Sequence, residues 1–264
     1  MLVTLCSTDI IWENEAANLK VLDALFSQFA FKSDVIILPE MFSTGFTMDS
    51  SLARPMNDSD SLLWMMRKAS QNDCAIVGSV PVVVGRGEQL SGREMIVNRL
   101  FFVLPDGSYH YYDKRHLFRM GEENNHYTAG KEKCIVEYRV VRFALTVCYD
   151  LRFPVWSRNI GNEYDVLLNV ANFPQPRVNV IEPLCRARAI ENISYMLFAN
   201  RSGCDPQCKY VPSSFAFDFK GNNIGNEEYI SGIQIINADI DIDSLRIFRE
   251  KFPAWMDADD FNLL

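Results

Sequence analysis

The chain has 264 residues, 48% of them hydrophobic and 23% charged, with a formal net charge of −8. That length supports one large core, and the ordinary composition excludes a disordered or fibrous protein. The acidic balance, with no long Lys/Arg cluster, argues against a nucleic-acid partner.

The opening stretch Met1-Leu2-Val3-Thr4-Leu5-Cys6 has no basic region leading into a long apolar run. No later segment approaches the ~18 apolar residues a membrane helix needs. No membrane is expected, and the cytoplasm is the expected compartment. Seven cysteines, odd in number and scattered, fit reduced thiols better than a disulfide framework. Cys204 and Cys208 form a lone C-x3-C with no second pair and no nearby His, so no metal and no other cofactor is expected.

Leu2 to Leu5 reads as a strand, and Asn14 to Ala30 carries apolar residues at helical spacing. Asp34-Val35-Ile36-Ile37-Leu38-Pro39-Glu40 has the aliphatic run of a strand buried on both faces, ending at an acid. Glu40 therefore sits at a strand tip in the apolar company of Met41, Phe42 and Phe46. Desolvation pushes such a carboxyl toward the range of a general base, although helix capping or an Arg partner would also account for it.

Asp58 and Ser59 look like an N-cap for a helix from Ser61 to Gln71, followed by a strand from Cys74 to Val84. After Gly85-Arg86-Gly87, the stretches Glu94 to Leu104 and Tyr109 to Lys114 flank Asp106-Gly107, a hairpin signal that predicts antiparallel pairing. The βα rhythm plus this hairpin predicts a mixed α/β architecture. Lys114 also ends a strand, and Arg119 to Gly130 reads as a loop over a site.

Arg142 to Val147 is strand-like and stops at Cys148, where the chain turns polar through Tyr149, Asp150 and Arg152. A thiol at a strand end stands clear of the sheet, and exposed backbone N–H groups there can meet developing negative charge. Taken alone, a buried structural cysteine is the commoner reading. A short helix is expected at Val155 to Asn159, then a strand Val166 to Val170 ending in Ala171-Asn172-Phe173-Pro174. A helix Pro183 to Asn192, strands Tyr195 to Arg201, Phe215 to Phe219 and Ser231 to Ile240 complete the body. The chain reads as one domain over residues 1–264. Its tail, 243–264, with Trp255 and Phe261, is expected to dock on the body or a partner subunit.

Three strand tips thus carry Glu40, Lys114 and Cys148, and ligands gather at the carboxyl ends of strands in open sheets. The stretches LPEMFSTGF, YDKRHLF and CYDLRFPVW, with ANFPQPR and RARAIEN, resemble the nitrilase superfamily of carbon–nitrogen hydrolases over nearly the whole chain. Within it they are most similar to the omega-amidase branch, which shares the HLFRMGEE-like loop and REKFP-type tail. The resemblance implies a four-layer αββα sandwich of two mixed sheets, usually a homodimer.

It also implies that Glu40 is the base, Cys148 the nucleophile, and Lys114 with the backbone N–H of Tyr149 the oxyanion donors. Glu123 matches a second glutamate, with Glu122 one residue away. Phe46, Phe118, Arg152, Asn172 and Phe173 fall in the matched stretches as substrate-binding residues. Arg152, Arg177 and Arg201 are candidates for a substrate carboxylate. Phe173 stands where this branch often has Trp, and Val178-Asn179-Val180-Ile181 replaces a Trp-rich helix start, so the acyl pocket is expected to differ in shape.

The chemistry favours the same residues. A thiol with a reference pKa of ~8.5 needs an adjacent base or cation, and a Cys–Lys–Glu set supplies both without histidine. His110, His116 and His126 all precede Cys148, whereas Cys–His triads of the papain kind expect a later His. The isochorismatase-like hydrolases, with an Asp, Lys, Cys set, lack the LPE and CYDLRFP contexts. The omega-amidase resemblance implies hydrolysis of the terminal amide of a small dicarboxylic acid monoamide such as 2-oxoglutaramate or 2-oxosuccinamate. An N-carbamoyl or other aliphatic amide hydrolase is the alternative within that chemistry. From other classes, a non-catalytic protein retaining the fold would have no use for all three residues, and a thiol oxidoreductase would want a resolving C-x-x-C that Cys148 lacks.

Overall fold

The structure, a computed structural model, describes residues 1–28, 32–86, 94–259 and 261. The first half runs β1 (Leu2–Ser7), α1 (Glu15–Gln28), β2 (Val35–Ile37), β3 (Arg54–Pro55), α2 (Asp60–Asn72), β4 (Ala75–Arg86), β5 (Glu94–Val103) and β6 (Tyr109–Asp113). After α3 (Glu123–His126) come β7 (Ile135–Tyr138), β8 (Val141–Val147), β9 (Val166–Ala171), α4 (Val178–Asn192) and β10 (Tyr195–Asn200). The small hairpin β11 (Gly203–Cys204) and β12 (Lys209–Tyr210) precedes β13 (Phe215–Phe217), β14 (Asn226–Ile230), β15 (Ile233–Asp239) and α5 (Ile242–Lys251).

An eight-stranded sheet has the order β14-β15-β1-β2-β4-β5-β6, with β3 beside β4; a five-stranded sheet has the order β13-β10-β9-β8-β7. Both are mixed. β1, β2 and β4 are parallel in the first, as β8, β9 and β10 are in the second, while β5–β6 and β7–β8 pair antiparallel.

The period-two alternation of the strands sets the layers. Val3, Leu5, Val35, Ile37, Val77, Leu100 and Phe102 of one sheet pack on Phe143, Leu145, Val147, Leu168, Val170 and Leu197 of the other. The intervening residues face away. Cys6, Ile36, Ile76 and Phe101 meet Leu22 and Phe26 of α1 and Leu62, Trp64 and Met65 of α2, and Leu167, Met196 and Phe198 meet Ile181, Cys185 and Ala189 of α4. Helices cover both outer faces, which makes the αββα sandwich.

Local signals explain most boundaries. The Ser59 hydroxyl accepts the Leu62 N–H at 3.2 Å and caps α2, and the Asp106-Gly107 turn joins β5 to β6 with Gly107 at φ +84°. Several expectations need correction. Val155 to Asn159 forms a turn rather than a helix: Trp156 N–H closes on Phe153 O at 3.2 Å and the Trp156 indole is drawn inward to Tyr112. α4 starts at Val178, before Pro183, which sits inside it. The loop after Lys114 contains α3, and β14, an edge strand of largely exposed NEEYI, is additional to the expected strands. Ala30 and Gly87, placed in a helix and a turn by pattern, lie outside the described residues. In the tail, α5 buries Leu245, Arg249 binds Asp165 at 2.8 Å, and the Phe248 ring packs at a tilt on Phe219 with centroids 5.0 Å apart.

Candidate active site

β2, β6 and β8 end facing one another where the two sheets meet. Glu40 follows β2, Lys114 follows β6 and Cys148 follows β8. Lys114 Nζ donates to Glu40 Oε1 at 2.8 Å and to Glu123 Oε1 at 3.0 Å, with Glu123 Oε2 at 2.9 Å. Glu40, Lys114 and Glu123 are all buried. Glu123 opens α3 and also accepts the Phe118 N–H at 2.6 Å, whereas Glu122 is exposed and in a left-handed conformation. Of the two glutamates, Glu123 is the one in contact with Lys114.

Cys148 itself adopts φ +46° and begins a 3-10 turn over Cys148–Arg152. A non-glycine residue in that region costs on the order of 1–3 kcal/mol. Arg188 of α4, within RARAIEN, donates twice to Leu151 O, at 3.1 and 2.8 Å, and secures the far end of the turn. Asn172, just after β9, joins the sheets: its backbone N–H reaches Glu40 Oε2 at 2.9 Å, and its Nδ2 reaches Glu40 O at 2.7 Å.

A family model described as carbon-nitrogen hydrolase matches residues 2–250. Omega-amidase YafV of Escherichia coli (strain K12) is 43% identical over 262 residues, covering 99% of this chain and 98% of that protein. The 2-oxoglutaramate amidase of Bacillus subtilis (strain 168) is 28% identical over 251 residues, 94% of each chain. The solved structure of XC1258 from Xanthomonas campestris, a CN-hydrolase superfamily protein with an arsenic adduct in its active site, superposes with a TM-score of 0.90 at 36% identity, covering 100% and 99% of the two chains. The chain belongs to the carbon–nitrogen hydrolase family. Its fold is that of the nitrilase superfamily, and its chemistry is hydrolysis of a carbon–nitrogen bond.

In this hydrolase the electrostatics assign distinct states to the cluster. Burial works against the Lys114 ammonium, but Glu123 and Glu40 outweigh it and hold its pKa well above the ordinary lysine range. That direction favours the charged form. Burial and the Glu40 charge raise Glu123, opposed by Lys114. Burial and then Glu40 push the Cys148 thiol well above its usual value, while Lys114 and the Asn172 N–H act to lower it. That direction favours the protonated Cys148 thiol.

The cleft in front of Cys148 encloses about 780 Å³, its open mouth included. All five expected substrate-binding residues, Phe46, Phe118, Arg152, Asn172 and Phe173, line it, with Tyr149 and Arg177. The Arg177 guanidinium lies over the Phe118 ring at 4.5 Å. Arg201 does not line it. Fully buried, it donates to Ile10 O and Cys204 O and stacks on Tyr210 at 4.3 Å, so it supports the wall from behind. Among the described residues, no cluster of His, Cys, Asp or Glu could hold a metal ion, and no helix is long and apolar enough to cross a membrane.

Two site residues escaped the sequence reading. Asn98, midway along β5, donates from Nδ2 to Glu40 Oε1 at 2.8 Å and to Glu123 Oε1 at 3.4 Å. Asn200, at the end of β10, accepts the Phe173 N–H at 2.8 Å and donates to Phe173 O at 3.0 Å, locking the Asn172 turn. Its place at the end of a strand is the one signal that could have found Asn200; nothing local marks Asn98.

Proposed function

We propose that this hydrolase is an amidase that converts the terminal amide of a small dicarboxylic acid monoamide, of the 2-oxoglutaramate or 2-oxosuccinamate type, to the acid and ammonia through a thioester on Cys148. The observation that carries the reading is the Cys148 thiol grouped with the buried Glu40–Lys114 ion pair, in a cleft that also holds two guanidinium groups.

Glu40 takes the thiol proton as sulfur attacks the amide carbon, and the carbonyl electron pair moves onto oxygen. Lys114 Nζ and the Tyr149 N–H hold that oxyanion. As the intermediate collapses, the C–N bond breaks and Glu40 returns the proton to the departing nitrogen, releasing ammonia. Water then enters, Glu40 takes its proton, the water oxygen attacks the thioester carbon, and the proton passes to the departing sulfur. Glu123 keeps Lys114 charged throughout.

The charge of the cleft supports an anionic substrate. Among the described residues, Arg152 and Arg177 have no carboxylate partner, while both cleft acids are already engaged. Glu40 is bound to Lys114, and Asp205 accepts the Tyr210 hydroxyl at 2.6 Å together with the N–H groups of Gln207 and Cys208. A substrate carboxylate has partners here; a substrate ammonium has none. The relatives named omega-amidase and 2-oxoglutaramate amidase agree with that chemistry. The same reading includes a cytoplasmic homodimer.

Incubation with 2-oxoglutaramate, 2-oxosuccinamate and N-carbamoyl amino acids, reading ammonia release, tests the proposal. Release from the oxo-amides and not from the carbamoyl compounds is expected. Failure to turn over either oxo-amide would sink the substrate assignment, and activity retained by Cys148→Ala would sink the thioester.

A further inference from the structure

A buried carboxylate two residues beyond the nucleophile has no part in the chemistry above. Asp150 is fully buried and accepts four hydrogen bonds. Oδ2 takes the Tyr112 hydroxyl at 2.7 Å and the Val147 N–H at 3.0 Å. Oδ1 takes the His116 N–H at 2.9 Å and His116 Nδ1 at 2.7 Å.

The donors are not arbitrary. Tyr112 and His116 stand two residues before and two residues after Lys114, on the eight-stranded sheet's side of the site. Val147 and Asp150 bracket Cys148 and Tyr149 at the end of β8, in the five-stranded sheet. One carboxylate therefore ties both flanks of the oxyanion-binding lysine to both flanks of the nucleophile, across the gap between the sheets. The donors are themselves fixed. The Tyr112 oxygen accepts Trp156 Nε1 at 2.9 Å and the Arg115 N–H at 3.2 Å, and the His116 ring stacks on Phe153 at 3.8 Å. Burial and the Asp150 charge hold the Tyr112 phenol well above its ordinary range, so it remains a donor at any working pH.

We propose that Asp150 is a positioning residue that sets the Lys114 ammonium and the Tyr149 N–H at the distance from Cys148 where the amide oxygen becomes negative. This rests on Cys148 being the nucleophile. Its contribution belongs to the transition state, because the substrate's carbonyl oxygen carries little charge before attack. Displacing a catalytic group by about 1 Å can cost on the order of a hundredfold in rate.

Asp150→Asn tests it on the full-length protein. The amide nitrogen cannot accept, so two of the four donors lose their partner with little change in size. The expected result is a kcat about a hundredfold lower with KM little changed, and a lower melting temperature because two buried donors are left unpaired. Alkylation of Cys148 by iodoacetamide, which develops no oxyanion, should keep its rate within about threefold of the parent. A parent-like kcat overturns the proposal, as does a fall of kcat and alkylation by the same factor. Should Asp150→Asn not fold, His116→Ala and His116→Asn replace it. Ala removes the Nδ1 donor and Asn restores one at nearly the same place, so kcat should fall with Ala and recover with Asn; equal rates in both overturn it. Hydrolysis that survives Cys148→Ala would instead refute the nucleophile, separating that failure from this one.

Discussion

Glu40 and Glu123 share a single ammonium. Both accept from Lys114, at 2.8 and 3.0 Å, and all three side chains are shut off from solvent. Two carboxylates on one cation leave an excess negative charge in a dry site, which is costly unless polar neighbours spread it. Asn98 Nδ2 and the Asn172 N–H are those neighbours. The arrangement holds Lys114 as a hydrogen-bond donor and leaves Glu40 to move protons.

Glu123→Gln should therefore cost activity more than stability. It relieves the excess charge, so the midpoint of thermal unfolding should shift little. Lys114 loses the neighbour that does most to raise its pKa and a fixed partner that aims it. A kcat at least tenfold lower, with KM little changed, is expected from removal of an interaction that matters in the transition state. Steady-state kinetics beside a melting curve check this; unchanged kcat contradicts it.

Asn98→Asp adds a third carboxylate within hydrogen-bonding reach of the other two. Like charges in a buried cluster cannot all remain ionised. Its stability should fall by about 2 kcal/mol or more at neutral pH and recover as the pH is lowered and the cluster takes up a proton. Urea unfolding at neutral and mildly acidic pH gives both numbers. A variant as stable as the parent at both would show that Asn98 does not mediate between Glu40 and Glu123.

Strand ends made Glu40, Lys114 and Cys148 candidates, and the family resemblance singled them out, because a strand tip taken alone is also where a cap, a solvated lysine or a buried thiol sits. Asn98 was not legible. It lies inside β5, where one polar residue changes neither period nor length, and its partner Glu40 is 58 residues away. The sandwich came from the family resemblance; alternation alone is equally consistent with a doubly wound sheet, since the pairing of inner faces is a long-range property. β14 was missed because an exposed edge strand reading NEEYI has no apolar alternation to detect. Arg201 read as a cation available to substrate, but only the fold shows its guanidinium turned to backbone carbonyls and the Tyr210 ring.

Glu40→Gln should give a more acidic thiol on a dead enzyme. Burial and the Glu40 charge raise the Cys148 pKa while Lys114 lowers it. Removing the negative charge leaves Lys114 less opposed at the sulfur, so the thiol must titrate at lower pH than in the parent. The thiolate fraction near neutrality rises, yet neither the leaving nitrogen nor the attacking water has a proton carrier, and ammonia release should fall by ~10² or more. Ultraviolet thiolate absorbance against pH, corrected with Cys148→Ala, gives the titration. A midpoint unchanged or displaced upward would break the link between Glu40 and Cys148.

Arg152 and Arg177 should act on binding rather than on chemistry. Both line the cleft without a carboxylate partner among the described residues, and the Phe118 face beneath Arg177 favours a planar guanidinium. Phe118 is in turn tied to Glu123 through its N–H at 2.6 Å, so the wall that carries Arg177 is continuous with the Lys114 cluster. A charge-assisted hydrogen bond to a substrate carboxylate is worth about 1.5–3 kcal/mol, which corresponds to a KM roughly tenfold to hundredfold higher when it is lost. The carboxylate keeps its charge from ground state to transition state, so kcat should hold while KM rises. Arg152→Met and Arg177→Met, each assayed on 2-oxoglutaramate and on an uncharged aliphatic amide, separate the two guanidiniums. The one that holds the carboxylate will raise KM for the anion and leave the neutral amide unaffected. Equal effects on both substrates, or none on either, would show that neither arginine reads the charge.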